Sequence, residues 1–329
     1  MCPTFTHPSP HELTHLPARS IIGAMATQII SHGRVTWTNI EHPTQEDLRL
    51  LADAYPHFHP LDLEDLTSRI ERPKIDDYED YLFVVMQFPI WDEKRRISRP
   101  SEVDMFVGSG YLVTVHDGEL KPLADLLYLC QHYENKRQEY MGESAGRLFH
   151  AVIDRLVDYL FPILRKVDEK THEIEEMLFS GDMRTVIQEI SIARRDIIAL
   201  RRIVRPQVEI IADLEKVDRP FIREELEVFF GDILDHVQKA RDIIEDEAQV
   251  IEGLADTSDT LASYRINEVM RILTVFSVIL LPLTLIAGCY GMNVPVPGEE
   301  EPLSFWLISG GMFVVSLLML AFFRSRRWL

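Results

Sequence analysis

The spacing of apolar residues changes rhythm three times along the chain. At first it is short-period. Val35 to Ile40 read VTWTNI, within a stretch from Ile21 to Ile40 that alternates in places. Tyr81 to Trp91 read YLFVVMQFPIW, rich in β-branched and aromatic side chains. Both predict strands. Met105 to Val107 and Tyr111 to His116 flank Gly108-Ser109-Gly110, the pattern of a tight hairpin. Thr44-Gln45-Glu46-Asp47 reads as a capped helix start, and Glu119 to Gln131 as a further helix. Residues 21–142 are therefore expected to form a small α/β domain.

After Gly142 the rhythm is helical. Arg147 to Leu178 is periodic, with an interruption near Pro162, and Arg184 to Arg205 is a second helix that Pro206 is expected to end. Pro220 suits the first turn of the next helix. From there apolar residues recur at Leu226, Phe229, Ile233, Val237, Ala240, Ile244, Ile251 and Leu254, in steps of three, four or seven. The expectation is one helix from Phe221 to Tyr290, on the order of 100 Å long at 1.5 Å per residue. Residues 143–220 form a helical, coiled-coil-like region before it.

The third rhythm is no rhythm. Ile272 to Tyr290 (ILTVFSVILLPLTLIAGCY) and Phe305 to Phe323 (FWLISGGMFVVSLLMLAFF) carry no charge and show no polar face. Each is about long enough to cross a hydrocarbon core of roughly 30 Å. Gly310 and Gly311 suit close helix packing in lipid, and Pro282 should kink or loosen the first span. Arg265 and Arg271 precede the first span, and Arg324, Arg326 and Arg327 follow the second; the intervening residues 291–304 contain no Lys or Arg. That asymmetry predicts both termini in the cytoplasm and the loop outside, in a cell (inner) membrane. Two helices cannot enclose a water-filled path, so conduction would require several copies around a common axis.

Charge then narrows the function. The chain has 53 acidic and 34 basic residues, a net charge of −19, and between Ile272 and Phe323 the only ionised groups are Glu299, Glu300 and Glu301. An acidic balance argues against binding nucleic acid. The composition excludes a disordered chain and a protein that is membrane throughout. Three scattered cysteines, Cys2, Cys130 and Cys289, exclude a disulfide framework and a thiolate zinc site. Residues 1–20 read as a flexible leader without a signal peptide.

Asn267-Glu268-Val269-Met270-Arg271-Ile272-Leu273-Thr274 leads into the first span, Pro282-Leu283-Thr284 lies inside it, and Tyr290-Gly291-Met292-Asn293 closes it. This arrangement resembles the CorA family of divalent-cation channels, whose hallmark is Gly-Met-Asn at the outer end of the first of two C-terminal spans. The resemblance is densest from Phe229 to Leu329. It implies an α+β membrane protein: a cytoplasmic α/β domain, a long stalk helix (221–290, the span at 272–290), an external loop (291–304), a second span (305–323) and a basic tail (324–329), assembled as a funnel-shaped homopentamer. It also implies that Gly291, Met292 and Asn293 form the selectivity filter, that Asn267, Met270, Leu273, Leu281 and Thr284 face the pore, and that Mg2+, with Co2+ as a second ion, is transported.

The chemistry suits those positions. Magnesium sheds water reluctantly, so a ring of Asn293 amides and Gly291 carbonyls would hold the hydrated ion without trapping it. Read alone, Asn293 serves equally as a helix C-cap. Rings of Met270 and Leu273 would close by dewetting, although apolar residues at that spacing are also ordinary packing. Glu299, Glu300 and Glu301 would raise cation concentration outside or simply be solvated. The usual Met-Pro-Glu-Leu wording of the loop is absent, with Glu301-Pro302-Leu303 the nearest echo. By family position Glu64, Asp65 and Asp232 would hold regulatory Mg2+ between subunits, with Asp168 or Glu169 at a second site; each of these acids also reads as plain solvated charge. His57 and His59, in HFH, have no thiolate or third ligand in the sequence nearby and read as loop or helix-start residues. No phosphate loop of the GxxxxGK[ST] kind occurs, and no nucleophile–base pattern points to an enzyme. The competing readings are a Co2+, Ni2+ or Zn2+ transporter of the same architecture, a divalent-ion sensor that does not conduct, and a membrane-tethered enzyme.

Overall fold

A computed structural model describes residues 27–67, 72–180, 182–217, 219–222, 227–292, 302–326 and 328. Its helices and strands divide between two compact units. One comprises residues 1–164 and 199–243, the other 165–198 and 244–329.

The first unit is built on a six-stranded sheet of β1 (Thr27–His32), β2 (Val35–Glu41), β3 (Lys74–Asp77), β4 (Tyr81–Asp92), β5 (Ile97–Gly108) and β6 (Tyr111–His116). The spatial order is β1-β2-β6-β5-β4-β3. All pairings are antiparallel except β2 with β6. The expected hairpin is present: Gly108 pairs with Tyr111 across a two-residue turn, and Gly110 takes φ +84, a conformation that only glycine adopts without strain. From Tyr81 to Ile90, β4 is apolar except for Gln87 because both its faces are covered. Tyr81, Phe83 and Val85 join Phe106, Val113 and Val115 in a cluster closed by Leu51 of α1 (Gln45–Ala54), Phe58 and Leu66. Leu82, Val84 and Met86 point the other way and are equally buried. On β5 and β6 packs α5 (Ala145–Asp158), which also contacts α3 (Lys121–His132) and α4 (Glu134–Met141). Thr44 caps α1 through a reciprocal bond with Asp47, the geometry that the sequence predicted.

Three elements were not legible in the apolar pattern: α4 (Glu134–Met141), which is mostly polar, and two shorter ones. α2 (Pro60–Asp65) is a short helix whose N-cap, His59, accepts the Leu61 N–H on Nδ1, and β3 is an edge strand of four residues.

The helical part departs from expectation at both prolines. Pro206 does not end its helix: α7 runs from Met183 to Leu214 with Pro206 inside. Proline removes one backbone donor. The burial of Ile203, Val204, Ile210, Ile211 and Leu214 on both sides of it outweighs that loss. Pro220 is in a turn, with Arg219 bridged to Ile222, rather than in a first helical turn. The long helix α8 is described from Glu227, not Phe221, to Tyr290 and stays continuous through Pro282. Near Pro162 the break is as expected: α5 stops at Asp158 and α6 (Leu160–Ser180) starts beyond Tyr159.

In the second unit, α6, α7 and α8 pack through Val167, Ile174, Leu178, Val186, Ile190, Ile197, Ile244 and Ile251, and Lys170 ties α6 to Glu189 of α7 at 3.1 Å. α9 (Pro302–Ser325) lies against the last third of α8, with Val315, Leu318, Met319, Phe322 and Phe323 around Val278. Both α8 and α9 contain stretches long and apolar enough to cross a membrane.

Candidate ion pathway and cation sites

At about 100° per residue, Asn267, Met270, Leu273, Leu281 and Thr284 fall within about 120° of one another on α8. All five are exposed, Leu281 at 73% and Leu273 at 57%. Val275, on the opposite side, is buried, and the α9 contact is made by Val278. The same face carries Ser277, which the sequence reading did not single out. Its hydroxyl donates to the Leu273 carbonyl at 2.9 Å, and Thr284 donates to Leu280 at 2.8 Å. A hydroxyl whose hydrogen is committed to the backbone turns its lone pairs outward, where they can only accept. The face therefore alternates apolar side chains at Met270, Leu273 and Leu281 with oxygen acceptors at Ser277 and Thr284.

The helix ends where the motif begins. Gly291 N–H donates to the Ala287 carbonyl at 2.9 Å, and Met292 beyond it is 58% exposed. Asn293, Glu299, Glu300 and Glu301 lie outside the described residues.

Of the acids outside the apolar spans, Glu64 and Asp65 end α2. Glu64 is exposed. Asp65 already has a cation: Lys74 Nζ of β3 sits 2.8 Å from its Oδ2 and 2.7 Å from Asp76 Oδ2. Burial pushes the Lys74 ammonium down, but the two carboxylates outweigh it and hold its pKa above the ordinary lysine value. Beside it, Asp62 is buried and accepts from the hydroxyls of Tyr78 (3.1 Å) and Tyr81 (2.8 Å). Burial raises its pKa despite both donors. His57 bonds to the Tyr111 hydroxyl at 2.8 Å.

Asp232, exposed on α8, lies one turn before His236. Asp154 and Asp158 of α5 face them: the ligand atoms of Asp154, Asp158 and His236 lie within 4.8 Å of one another, with His236 Nδ1 3.2 Å from Asp158 Oδ1. Burial first, then the charge of Asp158, raises the pKa of Asp154, and Asp232 adds to the repulsion. Ligands at about 2.1 Å around an octahedral ion stand roughly 3–4.2 Å apart, so small side-chain movements would close this set on a divalent cation. Neither Asp154, Asp158 nor His236 was singled out in the sequence. The signal was present as two i, i+4 pairs, Asp154 with Asp158 and Asp232 with His236. Asp168 and Glu169 belong to the second unit and are exposed. Asp168 there meets Glu247 of α8, whose Oε2 is buried without a well-formed hydrogen bond.

An α/β sheet unit, a long helix ending in Gly-Met and a second apolar helix define a two-span membrane protein with acidic sites outside the spans. The family model described as CorA-like Mg2+ transporter protein matches residues 32–327, and the chain belongs to that family. It is 31% identical over 296 residues, 89% of each chain, to "Putative metal ion transporter YfjQ" of Bacillus subtilis. It is 27% identical to "Cobalt/magnesium transport protein CorA" of Thermotoga maritima, over 89% of this chain and 83% of that one. Among solved structures it resembles the complete CorA magnesium transporter of Methanocaldococcus jannaschii, with a TM-score of 0.82 at 22% identity, over 94% of this chain and 100% of that one. That likeness shows the fold: the sheet unit, the long helix and the two C-terminal helices.

Proposed function

We propose that the protein is a passive Mg2+ influx channel in the cell membrane, a homopentamer with both termini in the cytoplasm. The α8 face carries this reading: five exposed residues within about 120° of one another, opposite the buried Val275, form a surface that identical copies would turn toward a shared axis. A divalent ion crossing about 100 mV gains roughly 4.6 kcal/mol, so entry needs no other energy source. The ion would arrive hydrated at a collar of Gly291, Met292 and Asn293, with Glu299, Glu300 and Glu301 concentrating cations outside. It would then pass Thr284, Leu281 and Ser277. Leu273 and Met270 form the constriction, and Asn267 receives the ion beyond it.

Closure is assigned to Mg2+ at the acidic sites. Glu64 and Asp65 of one subunit and Asp232 of its neighbour would share an ion, and Asp154, Asp158 and His236 would hold another. Asp168 and Glu169 remain a proposed further site in the second unit. Carboxylates repel across subunits when empty, and binding neutralises them, which biases the assembly toward its closed state.

His236 favours a second reading, a Co2+ or Ni2+ transporter or one of Zn2+, because imidazole suits those ions better than magnesium. Uptake into proteoliposomes with Mg2+, Co2+, Ni2+ and Zn2+ in competition separates the readings. Mg2+ uptake that Asn293→Ala lowers by about tenfold or more supports the channel. Preferred Co2+, Ni2+ or Zn2+ flux supports the second reading. No flux from a confirmed oligomer makes the protein a sensor.

A further inference from the structure

The ammonium on Asp65 is the least expected feature of the proposed regulatory sites. β3 alternates faces, so Lys74 and Asp76 project from the same side of the sheet edge, and both reach toward the end of α2. Lys74 Nζ bridges Asp65 at 2.8 Å and Asp76 at 2.7 Å, and it lies over the Phe83 ring at 5.2 Å. Asp62 is the fourth charged group of the cluster, tied down by Tyr78 and Tyr81.

We infer that the Lys74 ammonium is a tethered occupant of the Asp65 cation site, which an incoming divalent ion must displace, and that it sets the concentration at which that site fills. The inference rests on the regulatory reading above. Two positive charges do not share one carboxylate at short range without a penalty, so Mg2+ and Lys74 compete for Asp65. Asp76 makes the exchange feasible. When the ion takes Asp65, the ammonium keeps a partner on its own strand and is not left unpaired in a half-buried position. The lysine also keeps Asp65 paired while the site lacks metal, so that α2 and β3 stay docked. Because Lys74 and Asp65 are partly solvated, screening keeps the cost of displacing the ammonium modest, about tenfold in ion affinity.

The test is limited proteolysis of the full-length oligomer in detergent across a Mg2+ titration, reading the midpoint of protection, with thermal unfolding in parallel. Lys74→Met is expected to lower the midpoint about tenfold, Lys74→Gln to do the same, and Lys74→Arg to leave it within about twofold. Asp65→Asn is expected to raise the midpoint or abolish protection. If Asp65→Asn shifts the midpoint while Lys74→Met and Lys74→Gln leave it unchanged or raise it, the tethered-cation inference is overturned and the regulatory reading stands. If Asp65→Asn has no effect, the regulatory reading fails and takes this inference with it. If neither neutral variant reaches wild-type protection at saturating Mg2+, the lysine belongs to the closed state itself, and competition is again overturned.

Discussion

The two units treat the same apolar residues in opposite ways. In the first, β4 and β5 hide Phe83, Phe88, Phe106 and Met105 completely, and several of the polar groups drawn in with them bond to one another, although Asn39 Nδ2 has no hydrogen-bond partner. Trp37 donates to Thr114, Thr114 to Asn39, and His116 joins the same Asn39 oxygen at 3.0 Å. In the second unit, the last third of α8 and nearly all of α9 turn Leu, Val and Phe outward. The first keeps most of its large apolar side chains inside, within one chain. The second has an apolar exterior that lipid or identical copies would cover. Equal hydrophobicity thus yields a core or a surface depending on the solvent the segment meets.

That contrast is broken most directly by paired truncations. Phe106→Ala empties a fully buried position and is expected to cost about 3–5 kcal/mol, a large drop in the unfolding midpoint of the full chain in detergent. Phe313→Ala, at a site 65% exposed on α9, is expected to stay within about 0.5 kcal/mol. A cost at Phe313 matching that at Phe106 would mean that a neighbouring copy packs there, and the outward face would have to be redrawn as an interface.

Gly118 N–H donates to His116 Nδ1, so Nε2 carries the hydrogen and donates to Asn39. Burial holds the ring neutral and lowers its pKa from 6.5 to about 4. The unfolded chain takes up a proton below pH 6.5, and the folded chain resists until about pH 4. The stability from this group is therefore full above pH 6.5 and lost as pH falls through that window, by about 3 kcal/mol in all. Burial lowers the His150 pKa in the same sense, while the raised pKa values of Asp62 and Asp154 act in the opposite sense. The informative quantity is thus the difference in pH slope between wild type and His116→Gln. Unfolding midpoints at pH 7 and pH 4.5 that fall in parallel for both would remove His116 as the cause.

Much of this architecture could be read from the sequence because the signals were local. The hairpin at Gly108-Ser109-Gly110, the Thr44 cap and the uncharged runs at 272–290 and 305–323 each need only neighbours in sequence. Pro206 misled because a local rule met a tertiary one: the helix is held by what Ile203 and Ile210 bury. The proposed pore face follows from resemblance and helical spacing, but Ser277 on that face does not, since a lone serine in an apolar run carries no signal until its hydroxyl is seen committed to Leu273. The acids proposed as regulatory could be named singly but not assembled into sites. Asp154, Asp158 and His236 come from helices about 80 residues apart, and the choice of Lys74 as the partner of Asp65 depends on β3, a strand too short to announce itself.

The smallest effect probes the second unit. Glu247 has a raised pKa, from burial first, with Asp168 beside it adding to the shift and Thr171 opposing it. A carboxyl raised in the folded state stabilises most below its ordinary pKa of 4.5, and that stability is lost as pH rises through the folded value, the reverse of His116. Glu247→Gln removes the buried charge, so it is expected to stabilise the chain at pH 7–8 by about 0.5–1 kcal/mol, with the gain shrinking toward pH 4.5. The checking measurement is the unfolding midpoint of both proteins across that range without divalent ions. A glutamine variant less stable than wild type at pH 8 would show that the Glu247 carboxylate is satisfied in the assembled protein. A neighbouring copy would then supply a donor to Glu247 Oε2, and part of the outward face of the second unit would be an interface.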